Sequence, residues 1–124
     1  MANPLVAILM GSANDEPLLE PTKKVLDDLG IPYIVRAMSA HRTPDKVREF
    51  AKRAESDGLE VMICAAGGAA HLPGAVAANC TLPVIGIPLA SSEVAGGAAG
   101  IYCVLPKPPG GPARACSTRS RCMT

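Results

Sequence analysis

Apolar runs and polar loops alternate along this chain. Residues 5–10 form an unbroken apolar run, the pattern of a strand covered on both faces. Asp15, Glu16 and Pro17 then suit the first turn of a helix. Leu18, Leu19, Val25, Leu26 and Leu29 give it an apolar stripe, which Pro21 interrupts with a kink or a delayed start. Gly30 stops the helix, Ile31-Pro32 resets the chain, and residues 33–38 read as a second strand. Thr43 as cap and Pro44 in the first turn open a second helix, with Val47, Phe50, Ala51 and Ala54 on its dry face. Lys46, Arg48, Glu49, Lys52 and Arg53 make its wet face, and Asp57-Gly58 ends it. A third strand follows over 60–65, a short helix of small residues over 72–79, and a fourth strand over 83–88. A weak helix over 91–99 and a fifth strand over 101–105 complete the pattern. From Pro106 there is no apolar period, and residues 106–124 read as a Pro/Arg/Cys-rich disordered tail behind one domain over 1–105.

Strands alternating with helices predict an α/β fold, a doubly wound parallel sheet with helices on both faces. Such sheets bind ligands beyond the carboxyl ends of their strands, where the strand order reverses. In the common order 2-1-3-4, the loops at 11–15 and 67–71 flank that reversal.

With 124 residues, no Trp, and only Tyr33, Phe50 and Tyr102 as aromatics, the core must be built from Ala, Val, Leu and Ile. So few aromatics argue against stacking on single-stranded nucleic acid. Of twelve Lys and Arg and eleven Asp and Glu, four bases and no acid (Lys107, Arg114, Arg119, Arg121) fall in the tail. The body is therefore mildly acidic, which also weighs against nucleic acid as partner. Five cysteines, an odd number without paired metal spacing, imply neither a disulfide framework nor a zinc site. Cys64 lies inside an apolar run and reads as a small buried hydrophobe. No signal peptide and no run of membrane-spanning length are visible, so a cytoplasmic protein is expected.

Three polar loops carry the candidate chemistry, each after an expected strand. Gly67-Gly68-Ala69-Ala70-His71-Leu72-Pro73-Gly74 combines small residues, whose backbone can approach a ligand closely, with a histidine where the next helix begins. A histidine carries a proton either way near neutrality, so His71 is the candidate general acid–base; a capping or packing histidine is the plainer reading. Ser39-Ala40-His41-Arg42-Thr43-Pro44 offers a hydroxyl and a guanidinium, whose planar fork matches phosphate oxygens; a solvated surface arginine is its plainer reading. Gly11-Ser12-Ala13-Asn14-Asp15 supplies hydroxyl and amide donors and a carboxylate able to accept from sugar hydroxyls, though Asp also caps helices routinely. Neither a Walker A motif, a G-x-G-x-x-G fingerprint, a Ser-His-Asp set nor a metal set is present. The combination suits proton or carboxyl transfer on a small phosphorylated molecule.

Met10-Gly11-Ser12-x-x-Asp15, Ser39-Ala40-His41-Arg42-Thr43-Pro44-Asp45 and Gly67-Gly68-Ala69-Ala70-His71-Leu72-Pro73-Gly74 together resemble the PurE family of purine biosynthesis. Leu82-Pro83-Val84-Ile85-Gly86-Ile87-Pro88 looks like that family's next strand, and the likeness runs from Val6 to Ser92. The resemblance implies a three-layer flavodoxin-like sheet, a homo-octamer and no metal or organic cofactor. It implies interconversion of N5-carboxyaminoimidazole ribonucleotide and 4-carboxyaminoimidazole ribonucleotide. Both the Ala-His-Arg-Thr and Gly-Gly-Ala-Ala-His forms resemble the bacterial mutase branch rather than the carboxylase branch that uses free carbon dioxide. Carried over by position, Ser12, Asn14, Asp15, Ser39, Ala40 and Arg42 bind the nucleotide, Arg42 at its phosphate and Asp15 at its ribose. His71 is the general acid–base, while His41 with Gly67, Gly68 and Ala69 holds the carboxylate or released carbon dioxide.

The sequence departs from the family at Asn14, where Ser is usual, at Pro21, and chiefly from Val94 onward. There Gly96-Gly97-Ala98-Ala99 and the tail replace the usual strand and Gln-Met-Pro segment. The chain is thus expected to be a truncated or frame-changed form. The alternatives are a non-catalytic remnant that still binds a phosphorylated ribonucleotide, a carboxylase using free carbon dioxide, and a flavodoxin-like regulatory module.

Overall fold

A computed structural model describes residues 3–67 and 71–89 and the backbone of 113–115. The elements run β1 (Val6–Met10), a 3-10 helix (Ala13–Leu19), α1 (Glu20–Asp28), β2 (Tyr33–Ala37), α2 (Pro44–Ala54), β3 (Val61–Ala66), α3 (His71–Ala77), β4 (Val84–Pro88) and β5 (Ala113–Ala115). All strands pair in parallel in the order β2-β1-β3-β4-β5. The order 2-1-3-4 expected from the alternation is the one formed, with the reversal between β1 and β3.

Register explains the unbroken apolar run of β1. Val6 pairs with Tyr33 on one side and Val61 on the other, so β1 is central and every residue in it is buried. Successive side chains point to opposite faces. Ala7 and Leu9 join Val47, Ala51, Ala54, Met62, Cys64, Leu72 and Val76 in the layer under α2 and α3. Val6, Ile8 and Met10 join Leu19, Leu26, Ile63, Ala65, Ile87 and Leu89 in the layer on the α1 side. Each fully buried branched side chain contributes about 1.5–3 kcal/mol to holding the layers together. Edge strand β2 is only half-buried or exposed.

Both helix stops have a backbone cause. Gly30 (φ 69°) and Gly58 (φ 92°) take the left-handed conformation that a Cβ disfavours. At each, paired backbone bonds close the helix end: Gly30 N–H to Asp27 and Ile31 N–H to Leu26, then Gly58 N–H to Glu55 and Leu59 N–H to Ala54.

One expectation needs correction. The stripe on the first helix does not bury as one face: Leu19 and Leu26 are buried, while Leu18, Val25 and Leu29 stay 50%, 56% and 67% exposed. Adjacent leucines lie on different sides of a helical turn, so a single stripe cannot hold both. Of the two outcomes open to Pro21, the delayed start is the one formed. A 3-10 helix containing Pro17 precedes α1, and Pro21 sits in the first turn of α1, where no intrahelical donor is lost. Within the stretch 106–124, the backbone of Ala113–Ala115 pairs with Val84–Gly86. Joining a free strand edge needs backbone bonds only, so apolar periodicity gives no sign of it. The helix expected over 91–99 and the strand over 101–105 lie outside the described residues, as do Gly68, Ala69, Cys103, Cys116 and Cys122.

Candidate functional site

Backbone bonds at the carboxyl ends of β1, β2 and β3 set the floor of a cleft. Gly11 N–H donates to the Ala65 carbonyl at 3.2 Å, Met38 N–H to Met10 at 2.8 Å, and Leu89 N–H to Ala66 at 2.9 Å. Above them opens a cavity of about 330 Å³ lined by Gly11, Ser12, Asp15, Ser39, Ala40, His41, Ala66, Gly67, His71 and Leu72. The three loops singled out in the sequence thus share one space at the reversal of strand order.

The loop after β2 is braced from within. Thr43 stands at the start of α2, but its hydroxyl makes no capping bond there. Its Oγ1 instead accepts from Ser39 N–H at 2.9 Å and donates to the Ser39 carbonyl at 3.1 Å. The Ser39 Oγ in turn accepts the N–H groups of His41 (3.2 Å) and Arg42 (3.1 Å), bonds that leave its hydroxyl hydrogen unused. Met38 and Ala40 pack against the core under α2 and α3. Thr43 is therefore a brace for the loop rather than the cap its position suggests.

His41 and His71 meet directly: Nε2 of His41 lies 2.8 Å from Nδ1 of His71, with ring centroids 4.9 Å apart and planes at 88°. One nitrogen carries a hydrogen and the other a lone pair, so the rings cannot both be doubly protonated while this contact lasts. Both are exposed. The Arg42 guanidinium rests on the Gly11 carbonyl at 3.4 Å, beside the cavity but not among its lining groups. Ser12 accepts from the Asn14 N–H at 3.3 Å and so caps the 3-10 helix. Asn14 itself is exposed and does not line the cavity. Burial pushes the Asp15 carboxyl upward, partly offset by a backbone bond from Ser12. Ala66 and Leu72 also line the cleft; their apolar character had marked them only as core. Among the described residues, no three His, Cys, Asp or Glu side chains cluster as metal ligands, and no helix is long and apolar enough to cross a membrane.

A parallel sheet wound in both directions, with a cleft of hydroxyl, carboxyl and imidazole groups at the switch point where such sheets bind ligands, defines an α/β protein of flavodoxin-like architecture. Within that class the chain belongs to the AIR carboxylase family, which it matches over residues 5–119. The N5-carboxyaminoimidazole ribonucleotide mutase of Pyrococcus horikoshii is 50% identical over 93 residues, 75% of this chain and 52% of that protein. The Pseudomonas aeruginosa protein of the same name is 54% identical over 92 residues, 74% of this chain and 56% of its own. The chain therefore spans little more than half the length of these relatives. The crystal structure of Treponema denticola PurE superposes with a TM-score of 0.80 at 35% identity, over 92% of this chain and 72% of that one.

Proposed function

We propose that this chain interconverts N5-carboxyaminoimidazole ribonucleotide and 4-carboxyaminoimidazole ribonucleotide, a carboxyl transfer in purine biosynthesis. The observation that carries the reading is the His41–His71 contact inside the shared cleft. It adds to the likeness to proteins named for that mutase activity.

In this reading Arg42 holds the phosphate, its fork turning from the Gly11 carbonyl to the ester oxygens. Asp15, Ser12 and Asn14 take the ribose and phosphate hydrogen bonds, and Ser39 offers its unused hydroxyl hydrogen. Since Nδ1 of His71 is engaged with His41, proton exchange with substrate runs through Nε2. His71 begins protonated on both nitrogens, with Nδ1–H donated to His41. The Nε2 proton passes to the substrate's exocyclic nitrogen as the N–CO2 bond breaks, releasing carbon dioxide within the cleft. Ring carbon C4 then attacks that carbon dioxide, forming the new C–C bond. Nε2, now a lone pair, removes the C4 proton and restores the aromatic ring. One proton is given and one is taken, and no electrons change hands. His41, Ala40 and the backbone from Gly67 to Ala69 keep carbon dioxide close; catalysis is positioning plus proton transfer. The same reading takes the protein as a cytoplasmic homo-oligomer with no nucleic-acid or membrane partner. Leu18 on the 3-10 helix, Val25 on α1 and Leu29 just after α1 supply apolar surface for subunit contact.

The test is to incubate purified chain with N5-carboxyaminoimidazole ribonucleotide, without ATP or bicarbonate, and follow the 4-carboxy isomer. Its formation, lost in His71→Asn, supports the mutase. Binding without turnover leaves a ribonucleotide-binding remnant, and a requirement for added bicarbonate indicates the carboxylase.

A further inference from the structure

Lys23 grips two carboxylates at once. Its Nζ donates to Glu16 Oε1 at 2.8 Å and to Glu20 Oε1 at 3.1 Å. The two bonds differ in what they join. Glu20 lies in α1 one turn before Lys23, so that pair belongs to a single helix. Glu16 lies in the preceding 3-10 helix, so its bond crosses the junction between two elements. The Lys23 side chain is only 14% exposed, its stem laid down along the protein and its ammonium fixed between the two acids.

The 3-10 helix has few other ties. Before it, Gly11 N–H is fixed on Ala65; at its end, Leu19 is buried on the α1 side of the sheet. Between those points the N–H groups of Asn14 and Asp15 both bond Ser12, at the start of the same segment. Among the described residues, Lys23–Glu16 is the one side-chain hydrogen bond that joins Ala13–Leu19 to another element. A 3-10 helix has poorer hydrogen-bond geometry than an α-helix and holds its own shape less firmly. Asp15, the neighbour of Glu16, lines the cleft, whereas Glu16 and Lys23 do not.

We propose that Lys23 is a positioning residue for the cleft: by gripping Glu16 it fastens the 3-10 helix to α1 and holds Asp15 in place for the ribose. This role rests on the ribonucleotide reading above. Lys23 touches no ligand and acts through Glu16. A segment fixed before binding spares the ligand the cost of ordering it, so the clamp shows as affinity. An ion pair with exposed acids adds little to overall stability, so the clamp shows only weakly in melting.

The test follows amide exchange at Asp15 and affinity for 4-carboxyaminoimidazole ribonucleotide in wild type, Lys23→Met, Lys23→Arg, Glu16→Ala and Glu20→Ala. Met keeps the apolar stem and removes the ammonium. Lys23→Met and Glu16→Ala should each speed exchange of the Asp15 N–H and weaken binding about three- to tenfold, with the double variant no weaker than either. Glu20→Ala loses only the bond inside α1 and should stay within about twofold of wild type in both readouts. Lys23→Arg still reaches Glu16 and should bind as wild type does. Equal losses in Glu16→Ala and Glu20→Ala would reduce the network to support of the helix and overturn the proposal. So would wild-type behaviour of Lys23→Met, losses that multiply in the double variant, or faster exchange without weaker binding. If Lys23→Met fails to fold, the contrast between Glu16→Ala and Glu20→Ala decides alone. A wild type that binds no ribonucleotide refutes the reading beneath the proposal, whatever the exchange rates.

Discussion

His41 and His71 stand thirty positions apart in sequence and 2.8 Å apart through Nε2 and Nδ1. Their contact is made by the register of three strands, since one residue follows β2 and the other follows β3, with β1 between them. Two imidazoles joined in this way act as one unit. Single substitutions, His41→Asn or His71→Asn, should each lower turnover by roughly 10²–10⁴, while the double variant falls no further. Steady-state rates of the four proteins of that cycle, alongside nucleotide affinity, provide the check. Multiplying effects would mean that the rings work independently.

Arg42 is exposed and among the described residues its side chain bonds only the Gly11 carbonyl, so removing it should spare the fold. Arg42→Ala should weaken nucleotide binding by about 1.5–3 kcal/mol, the range for a hydrogen bond to a charged group. Arg42→Lys should recover little, because a single ammonium does not reproduce the fork. Calorimetric titration of the three proteins distinguishes this from a solvated arginine, whose loss would leave affinity unchanged.

Thr43→Val keeps the shape of the side chain and removes the hydroxyl that ties Ser39. The orphaned Ser39 N–H, in a half-buried setting, should cost about 1–3 kcal/mol of stability in chemical denaturation. Thr43→Ser retains both bonds and should behave as wild type. Equal effects of Val and Ser would trace the role to the methyl group instead.

Burial raises the Asp15 carboxyl above its usual value, with the backbone bond from Ser12 acting in the other direction. Folding therefore favours the protonated acid. The stability linked to this group is present below the usual carboxylate range and lost as pH rises through the raised folded value. Asp15→Asn should then melt above wild type at about pH 7, with the gap closing toward about pH 3. Thermal scans across that window check the sign. The same variant should bind the ribonucleotide less well, since the carboxylate is the group placed to accept sugar hydroxyls.

Burial also pushes the Cys64 thiol far up, leaving little thiolate at neutral pH. Cys80 is half-buried and its thiol is raised too, first by burial. In alkylation of the folded chain near neutrality, peptide mass spectrometry should find Cys80 modified before Cys64.

Much of this architecture is readable from the chain. β1, β3 and β4 are covered on both faces, so their residues form nearly continuous apolar runs that no amphipathic helix imitates. The site loops are equally visible, because Gly, Ser, His and Arg collect immediately after β1, β2 and β3. What escaped reading depends on choices between near-equal local options. Leu18 and Leu19 offer two stripes, and only tertiary packing selects the one that buries. The Thr43 hydroxyl can cap α2 or bond Ser39, and the loop geometry decides for Ser39. The side-chain contact of His41 with His71 requires the sheet register to be known first, and β5 leaves no periodic trace because edge pairing uses backbone alone.

The placement of β1 between β2 and β3 also dictates an order of events. The β1–α1–β2 unit can associate through near neighbours in sequence, as Val6 meeting Tyr33 illustrates, whereas Val6 meeting Val61 must await closure of a much longer loop. The cleft thus comes into being only after the third strand docks. A nucleotide added during refolding would find nothing to grip until that late step, so it should slow unfolding while leaving the early rate of collapse untouched.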